Sequence, residues 1–371
     1  MPHTIPTNRS DIEWRNESTQ KPPKQAVYIQ EAGAAEILKN AHAQTATVWT
    51  GDFHNAKQVL AAMKKRIRRP SEKKKDAPTD IQTAFHAHRM KQAQQSRLLN
   101  MLAVEIQPNF KLDNARAPDI YAALYDVYDT PNDKPFHLPL NQLLGFIGAH
   151  EWHKKGIDIP QLDGKIHVPF GVFSPLRGEY LDLIAQAPLA PNIQTAFDIG
   201  TGSGVIAAIL TKRGIPNIIA TDTNPKAIAC ATANLKRLGL NKAVNIQSID
   251  LFPKSCADLI VCNPPWLPAK PTSAIETALY DPNHAMLTAF LNGVRKHLNP
   301  NGEAWLIISD LAEHLHLRDK DFLNQCFQTA SLNVVDILKT KPQHKKAIDE
   351  SDPLAFARNK ETTYLYRLKT I

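Results

Sequence analysis

The stretch FDIGTGSGVIAA, residues 197–208, decides the fold predicted for this chain. Gly200, Gly202 and Gly204 stand where an apolar strand turns into an apolar helix. Glycines let the backbone turn tightly and approach a ligand closely, and the start of a helix offers unpaired amide hydrogens. A purely structural turn would also use glycine, so the pattern alone does not decide the matter. The surrounding sequence does.

Apolar strands alternate with helical stretches on both sides of this turn. The strand candidates are QTAFDIG, NIIATD, AVNIQSID, DLIVCNPP, EAWLIIS, NVVDILKT and TTYLYRLK, between residues 194 and 369. Alternation of this kind, with nearly continuous apolar strands, predicts a parallel sheet covered on both faces. The last two strands have no helix between them, so we expect an antiparallel pair there. The predicted fold is α/β, with a Rossmann-like seven-stranded sheet that is parallel except at this C-terminal pair.

Carboxylates stand at the ends of the first three strands. In a doubly wound sheet, Asp198, Asp222 and Asp250 would meet near one switch point. Asp222 can accept hydrogen bonds from both hydroxyls of a ribose, and Asp250 could accept one from an adenine amino group. Taken alone, Asp250 fits an ordinary acid that opens a loop equally well. Val205 follows the third glycine of G-x-G-x-G, whereas a dinucleotide dehydrogenase usually has G-x-G-x-x-G, and this favours S-adenosylmethionine over NAD.

The stretch DLIVCNPPWLP, residues 258–268, carries the candidate catalytic residues Asn263, Pro264, Pro265 and Trp266. The Asn263 side-chain oxygen and a proline carbonyl are fixed acceptors that suit a planar amino group with two hydrogens. Binding both hydrogens raises the electron density on a poorly nucleophilic nitrogen and aims it at a sulfonium methyl group. Trp266 would supply a flat apolar wall. The alternative is a structural loop whose prolines merely end a strand.

These residues resemble a known family. The segment from Asp198 to Gly204 resembles the S-adenosylmethionine loop of class I methyltransferases, and Asn263 to Trp266 resembles the (Asn/Asp)-Pro-Pro-(aromatic) signature of amino-group N-methyltransferases. The chain is most similar to HemK-type enzymes, which methylate a glutamine side chain in peptide release factors. GVFSPLRGEY, residues 171–180, and ALYDPNHAM, residues 278–286, resemble two further segments of that family.

The resemblance implies S-adenosylmethionine as the cofactor and Asn263 as a ligand of the methyl acceptor. It implies Gly200 and Asp222 as cofactor ligands. Together with the glycine turn and the strand ends, the candidate cofactor-binding residues are Asp198, Gly200, Thr201, Gly202, Gly204, Asp222, Asp250 and Asn263. This chain differs from the family pattern at two places where the methyl acceptor would be recognised. The family usually has Tyr where this chain has Trp266, and its Pro-Arg-Pro-acid pattern is replaced here by the residues from Ser174 to Glu179.

The sequence before residue 158 has a different texture. Residues 1–25 are polar and contain prolines, which predicts a flexible tail. Residues 26–157 show apolar positions three and four apart, which predicts a helical accessory or substrate-recognition domain. Residues 158–190 are predicted to be a connecting hairpin and helix, and residues 191–371 the S-adenosylmethionine-dependent methyltransferase domain.

The net charge of +8 comes from one segment. Residues 57–97 contain twelve Lys or Arg against three acids, an excess of nine, so the remainder sums to about minus one. The segment fits a patch for RNA, the ribosome or another anionic partner, and it fits a solvated helical face equally well.

No apolar run near the N-terminus could serve as a signal peptide, which predicts a cytoplasmic protein without membrane contact. The four cysteines show no metal-ligand spacing, so neither a metal nor a disulfide is expected.

Three functions remain open from the sequence. The first is a methyltransferase acting on a protein glutamine amide, for instance in a translation factor, which the tyrosine-acid-proline segment at 280–282 favours. The second acts on an exocyclic amine of adenine or guanine in RNA or DNA, which the basic segment favours because phosphate contacts come mostly from Lys and Arg. The third is a basic binding protein with a degenerate methyltransferase domain, which the intact cofactor residues disfavour.

Overall fold

The computed structural model describes residues 3–68, 80–176, 178–342 and 354–371. The chain divides into two compact units, Met1–Glu151 and Trp152–Ile371. The division falls inside a helix and lies a few residues before the predicted boundary at 157. Among the described residues, no helix has both the length and the apolar character needed to cross a membrane.

The first unit is built on a six-stranded sheet with helices around it. Its strands are β1 (His3–Ile5), β2 (Ile12–Trp14), β3 (Gln25–Ile29), β4 (Thr45–Trp49), β5 (Leu102–Ile106) and β6 (Phe136–Pro139). They are ordered β1-β2-β6-β5-β4-β3. The helices are α1 (Ala34–His42), α2 (Phe53–Arg68), α3 (Ile81–Leu99), α4 (Tyr121–Tyr128) and α5 (Leu140–Lys155), with a 3-10 turn at Pro108–Phe110.

This sheet corrects two predictions. Residues 1–25 are not a flexible tail, because β1 and β2 lie within them and pair with each other. Residues 26–157 are not a helical domain, because β4 and β5 are buried strands in the middle of the sheet. Short runs of consecutive apolar residues carry no alternation that distinguishes a buried strand from a helix. The apolar residues Leu102–Ile106 follow α3 closely, which ends at Leu99, and their spacing alone does not separate this strand from the helix.

The second unit begins with the predicted hairpin and continues into a seven-stranded sheet. The hairpin consists of β7 (Ile157–Ile159) and β8 (Gly164–Ile166), an antiparallel pair. The sheet strands are β9 (Thr195–Ile199), β10 (Asn217–Asp222), β11 (Val244–Ser248), β12 (Ala257–Cys262), β13 (Leu298–Ser309), β14 (Leu332–Thr340) and β15 (Thr363–Thr370). They are ordered β11-β10-β9-β12-β13-β15-β14. Only β15 runs against its neighbours, so the predicted α/β fold with an antiparallel C-terminal pair is confirmed.

Helices cover both faces of this sheet. They are α6 (Glu179–Gln186), α7 (Val205–Lys212), α8 (Pro225–Arg237), α9 (Ala285–Val294), α10 (Leu311–His314), α11 (Phe322–Thr329) and α12 (Ala355–Arg358). Shorter 3-10 turns occur at Pro160–Leu162, Ala274–Ala278 and Pro282–His284.

Strand β12 shows why the central strands are apolar throughout. Leu259 and Val261 pack into the apolar cluster that includes α7, whereas Ile260 and Cys262 pack into the cluster that includes α9. Successive side chains of a strand point to opposite faces, so a strand buried on both sides needs an apolar residue at every position. Several polar residues lie near the strand ends, and the carboxyl ends of β9, β10, β12 and β13 share one edge because these strands are parallel.

Candidate active site

The turn between β9 and α7 depends on its three glycines. Gly200, Gly202 and Gly204 have φ angles of 70°, 55° and 81°, a region that other residues rarely adopt. A Cβ atom on Gly204 would lie 3.1 Å from the Cα and Cβ atoms of Ala231, and one on Gly200 would lie 2.9 Å from the Met286 Cε atom. The Ala231 contact restricts Gly204 through close approach as well as through backbone conformation, whereas the Met286 Cε atom is the end of a flexible side chain that can move away from position 200.

Asp198 lies directly beneath this turn and is completely buried. Its Oδ2 atom accepts hydrogen bonds from the Thr201 hydroxyl at 2.6 Å and from the Ala207 amide at 3.0 Å. Its Oδ1 atom is buried without a hydrogen-bond partner among the described residues. Burial raises the pKa of this carboxyl to about 6, against the opposing effect of the two hydrogen bonds. The turn therefore encloses an oxygen with unused acceptor capacity.

Asp222 connects the end of β10 to the same turn. Its Oδ2 atom accepts from the Gly202 amide and its Oδ1 atom from the Asn224 amide, each at 2.9 Å. The Asn224 side chain in turn accepts from the Lys226 amide at the start of α8. Each carboxylate oxygen keeps a further lone pair, so Asp222 can still accept hydrogen bonds from a ligand such as a ribose.

Asp250 lies beyond the end of β11, and its side chain is exposed. The next residue, Leu251, has its carbonyl bound to the Thr221 hydroxyl at 2.7 Å. This bond fixes the loop after β11 to β10, beside Asp222. Asp250 thus lies at the predicted sheet edge, and its assignment to an adenine amino group stays a prediction.

Asn263 is the first residue after β12, and its side chain is held by Trp266. The Asn263 Oδ1 atom accepts a hydrogen bond from the Trp266 Nε1 atom at 2.9 Å. Pro264 is buried, whereas Asn263 and Pro265 are half-buried. An amide oxygen has two lone pairs, so one remains for another donor. Trp266 was predicted only to stack on a planar group; here its indole N–H also orients the Asn263 amide.

Tyr180 of α6 is a site residue that the sequence did not indicate. Its side chain is 4% exposed and interacts with both Asp198 and Asn263. Burial raises the pKa of this phenol, the Asp198 charge raises it further, and a hydrogen bond with Asn263 lowers it. Tyr180 therefore connects the residue beneath the glycine turn with the residue after β12. It ends the stretch GVFSPLRGEY, of which Arg177 lies outside the described residues.

The tyrosine-acid-proline segment at 280–282 supports the loop after β12. The Asp281 amide donates to the Leu267 carbonyl at 2.8 Å, and the buried Asp281 carboxylate accepts from the amides of Met286 and Leu287. A carboxylate at a helix start satisfies amides that lack partners within the helix. Asp281 thereby joins the loop after the prolines to helix α9, whose Met286 lies over Gly200.

The basic segment at 57–97 is only partly described, since residues 69–79 lie outside the described residues. Ala61, Lys64, Lys65 and Arg68 of α2 line a surface depression of ≈ 450 Å³. An open basic surface is expected if an anionic partner binds there and equally if the helix face is only solvated, so binding there stays a prediction.

Comparison with known proteins agrees with this geometry. Residues 165–336 match the methyltransferase small domain. The resemblance to class I methyltransferases predicted from the glycine turn and the Asn-Pro-Pro-Trp stretch is thereby confirmed. The matched methyltransferase small domain begins in β8 and ends in β14, so it includes both motifs.

Two curated relatives are about equally similar to this chain. One is a release factor glutamine methyltransferase from Cereibacter sphaeroides, 33% identical over 34% of this chain and 50% of its own length. The other is a tRNA1(Val) (adenine(37)-N6)-methyltransferase from Cytophaga hutchinsonii, 30% identical over 34% of this chain and 56% of its own length. The chain spans about half the length of each of these relatives.

Among solved structures, a ribosomal protein L11 methylase from Lactobacillus delbrueckii subsp. bulgaricus aligns with a TM-score of 0.39 and 17% identity. The alignment covers 56% of this chain and 86% of that one. Similarity at this level supports no conclusion by itself.

Proposed function

We propose that this protein is an S-adenosylmethionine-dependent N-methyltransferase whose acceptor is the side-chain amide of a protein glutamine. One observation carries the proposal: the Asn263 oxygen, oriented by Trp266, lies at the end of β12, directly beside β9 and its glycine turn. A fixed hydrogen-bond acceptor is thus placed next to a fixed cofactor loop. That is the arrangement a planar amino group needs in order to be methylated.

The residues around the turn fit the cofactor. The unpartnered Oδ1 atom of Asp198 can accept a hydrogen bond from an amino group, and the remaining lone pairs of Asp222 can accept ribose hydroxyls. A Cβ atom at Gly202 would meet nothing within 4 Å, so the backbone there is open to a ligand. S-adenosylmethionine supplies a methyl group made electrophilic by the positively charged sulfur to which it is bonded.

The acceptor amide would be bound by the residues that follow β12. The free lone pair of Asn263 accepts one amide hydrogen, and the Pro264 carbonyl accepts the other. Both bonds increase the electron density on a nitrogen whose lone pair is otherwise delocalised. They also hold that nitrogen in one orientation, and such positioning accounts for much of the rate of transfer reactions. Trp266 serves twice, as a flat neighbour and as the donor that fixes Asn263.

The acceptor class is supported from two sides. The segment at 280–282, which resembles the HemK-type pattern, is built into the site through Asp281. The name of the Cereibacter sphaeroides relative also refers to glutamine methylation. A nucleobase amine is the second candidate, favoured by the basic depression on α2 and by the name of the Cytophaga hutchinsonii relative.

Labelling with S-adenosylmethionine carrying a tritiated methyl group tests the proposal. Extract from a strain that lacks the gene is incubated with the protein, and label is expected in a protein band, at glutamine after hydrolysis. Label confined to RNA or DNA would refute the glutamine acceptor and support the second candidate.

Variants at position 263 test the mechanism in the same assay. Asn263→Ala should reduce transfer by about 100-fold or more, because a misplaced acceptor loses its alignment. Binding of S-adenosylhomocysteine should be retained. Asn263→Asp keeps an acceptor oxygen and should retain more activity than Asn263→Ala. Asn245→Ala, at an exposed position on β11, is the matched control and should match the wild type. Equal rates for Asn263→Ala and the wild type would overturn the role of Asn263.

A further inference from the structure

A polar cavity lies at the end of β13, the strand next to β12. It has a volume of ≈ 140 Å³ and is lined by residues that include Ser309, Asp310, Glu313, Arg318, Tyr364 and Tyr366. A space of this size holds about four or five water-sized groups. Because β12 and β13 are parallel, the cavity and Asn263 lie at the same edge of the sheet. None of these residues takes part in binding the cofactor or the reacting amide as described above.

Arg318 is the unusual residue in this cavity. It is 5% exposed, and its Nη2 atom donates to the Ser309 carbonyl at 2.6 Å and to a Glu313 carboxylate oxygen at 3.3 Å. Its Nε and Nη1 atoms have no hydrogen-bond partner among the described residues. A buried guanidinium with unmade hydrogen bonds destabilises a protein unless another group supplies the acceptors. The cavity therefore offers buried donors to the oxygen of a bound molecule.

The carboxylates of the cavity are partly occupied by the protein. Asp310 accepts from the Thr362 amide at 2.7 Å and from the Tyr364 hydroxyl at 3.3 Å. Arg318 and Lys320 balance Asp310 and Glu313 in formal charge. A doubly charged phosphate would find no excess of positive charge here. A neutral group that both accepts and donates hydrogen bonds matches the lining better, and an amide has both functions.

His284 provides a second sign of unused polar groups on this side of the unit. It is 6% exposed, and neither ring nitrogen has a hydrogen-bond partner among the described residues. Its ring lies 4.6 Å from that of Phe322, and burial together with the Arg318 charge lowers its pKa to about 4. His284 lies three residues after Asp281, which supports the loop after β12. His284 and Arg318 are thus two interacting buried side chains whose hydrogen bonds are incompletely made by the described residues.

We propose that the cavity at the end of β13 binds a main-chain amide of the methyl acceptor, near the side-chain amide that is methylated. The proposal rests on the proposed function and makes it more specific. The amide oxygen accepts from the unpartnered nitrogens of Arg318, and the amide hydrogen faces the carboxylates. Recognition of a main-chain group explains how an enzyme can position a glutamine within a peptide, since the side-chain amide alone offers few contacts.

The test measures binding of a capped peptide, acetyl-Gly-Gln-Gly-amide, by saturation-transfer NMR in the presence of S-adenosylhomocysteine. Adenosine 5′-monophosphate is the competing probe. The wild type should bind the peptide, and Arg318→Lys, which keeps the charge but loses the guanidinium pattern, should weaken binding at least tenfold. Asn324→Ala, which removes a polar side chain from the lining without disturbing a buried charge, should weaken it about threefold. Arg295→Lys, at an exposed position outside the cavity, is the matched control.

Two outcomes would overturn the proposal. In one, the peptide binds equally to the wild type, Arg318→Lys and Asn324→Ala. In the other, only the nucleotide binds, and the cavity variants abolish that binding. If Arg318→Lys does not fold, Asn324→Ala alone decides between these results. Failure of the proposed function would look different: S-adenosylhomocysteine would not bind, or Asn263→Ala would transfer methyl groups normally.

Discussion

Two parts of the candidate site differ in how many of their polar atoms already have hydrogen-bond partners. At the ends of β9 and β10, the Asp222 carboxylate and one oxygen of Asp198 already accept hydrogen bonds from the turn that they support. At the end of β13, four buried nitrogen atoms of Arg318 and His284 lack partners among the described residues. Beneath the glycine turn only the Oδ1 atom of Asp198 lacks a partner, whereas on the proposed acceptor side four nitrogen atoms lack one among the described residues.

This difference has a physical reason. A loop that binds one small cofactor can be shaped by backbone amides and glycines, which the chain supplies in every state. An acceptor that arrives as part of a larger molecule must bring its own hydrogen-bond partners, so the groups that receive it remain unpaired until it binds. We therefore expect substitutions in the glycine turn to act through stability and steric fit, and those at Asn263 and Arg318 to act through binding and rate.

The largest effect on stability is expected at Gly204. Gly204→Ala combines backbone strain with the contact to Ala231 and should lower the free energy of unfolding by about 4 kcal/mol. Gly214→Ala is the matched control, because its φ is also positive, at 93°, but a Cβ atom there meets nothing within 4 Å. That variant should lose about 2 kcal/mol through strain alone. Urea unfolding measures both, and equal losses would mean that packing against α8 does not restrict the turn.

The pH dependence of stability should run in opposite directions in the two halves. The pKa of Asp198 is raised from 3.8 to about 6, so its contribution is fully present below pH 3.8 and is lost as the pH rises through 6. The pKa of His284 is lowered from 6.5 to about 4, so its contribution is present above pH 6.5 and is lost as the pH falls through 4. Each could change the free energy of unfolding by about 3 kcal/mol.

Two variants separate these contributions between pH 4 and 6. Asp198 lowers the free energy of unfolding as the pH rises from 4 to 6. Asp198→Asn removes this contribution, so the free energy of unfolding of the variant should rise more with pH than that of the wild type. His284→Asn tolerates the positive φ of 56° at this position and should remove the opposite slope. Urea unfolding at several pH values measures both slopes. If both variants changed the pH dependence in the same direction, the contrast between the halves would be wrong.

The smallest effect is expected at Trp266. Trp266→Phe keeps an aromatic ring but removes the hydrogen bond to Asn263, which is worth about 1 kcal/mol. The rate of methyl transfer should fall about fivefold, while S-adenosylhomocysteine binds as before. Trp152→Phe changes an exposed tryptophan and serves as the control. An unchanged rate in Trp266→Phe would show that Asn263 is held by other contacts.

Local requirements explain which parts of the site could be predicted from the sequence. The conformations of the three glycines are set within one turn, Asp222 ends β10, and Asn263 directly follows β12. Tyr180 and Arg318 could not be found in this way. Tyr180 comes from α6 and Arg318 from the segment between α10 and α11, and a lone tyrosine or arginine is normally a core or surface residue.

The first unit shows the same limit at the level of the fold. Helices α1 and α2 show the predicted apolar spacing, with buried residues three or four apart such as Ala56, Leu60 and Met63. Strands β4 and β5 were missed because each is a five-residue run buried on both faces, and such a run resembles part of a buried helix. Only the pairing of strands distant in the sequence distinguishes the two, as in the parallel register of β4 with β5.

The position of β15 has a consequence for synthesis of the protein. This strand lies between β13 and β14, although it follows both in the sequence. Until residue 370 has left the ribosome, β13 has one unpaired edge, and β14 has no partner among the described strands. Val335 and Ile337 of β14 are 46% and 47% exposed even in the folded chain. A nascent chain stalled before β15 would expose unpaired strand edges and apolar side chains, to which chaperones and other nascent chains could bind.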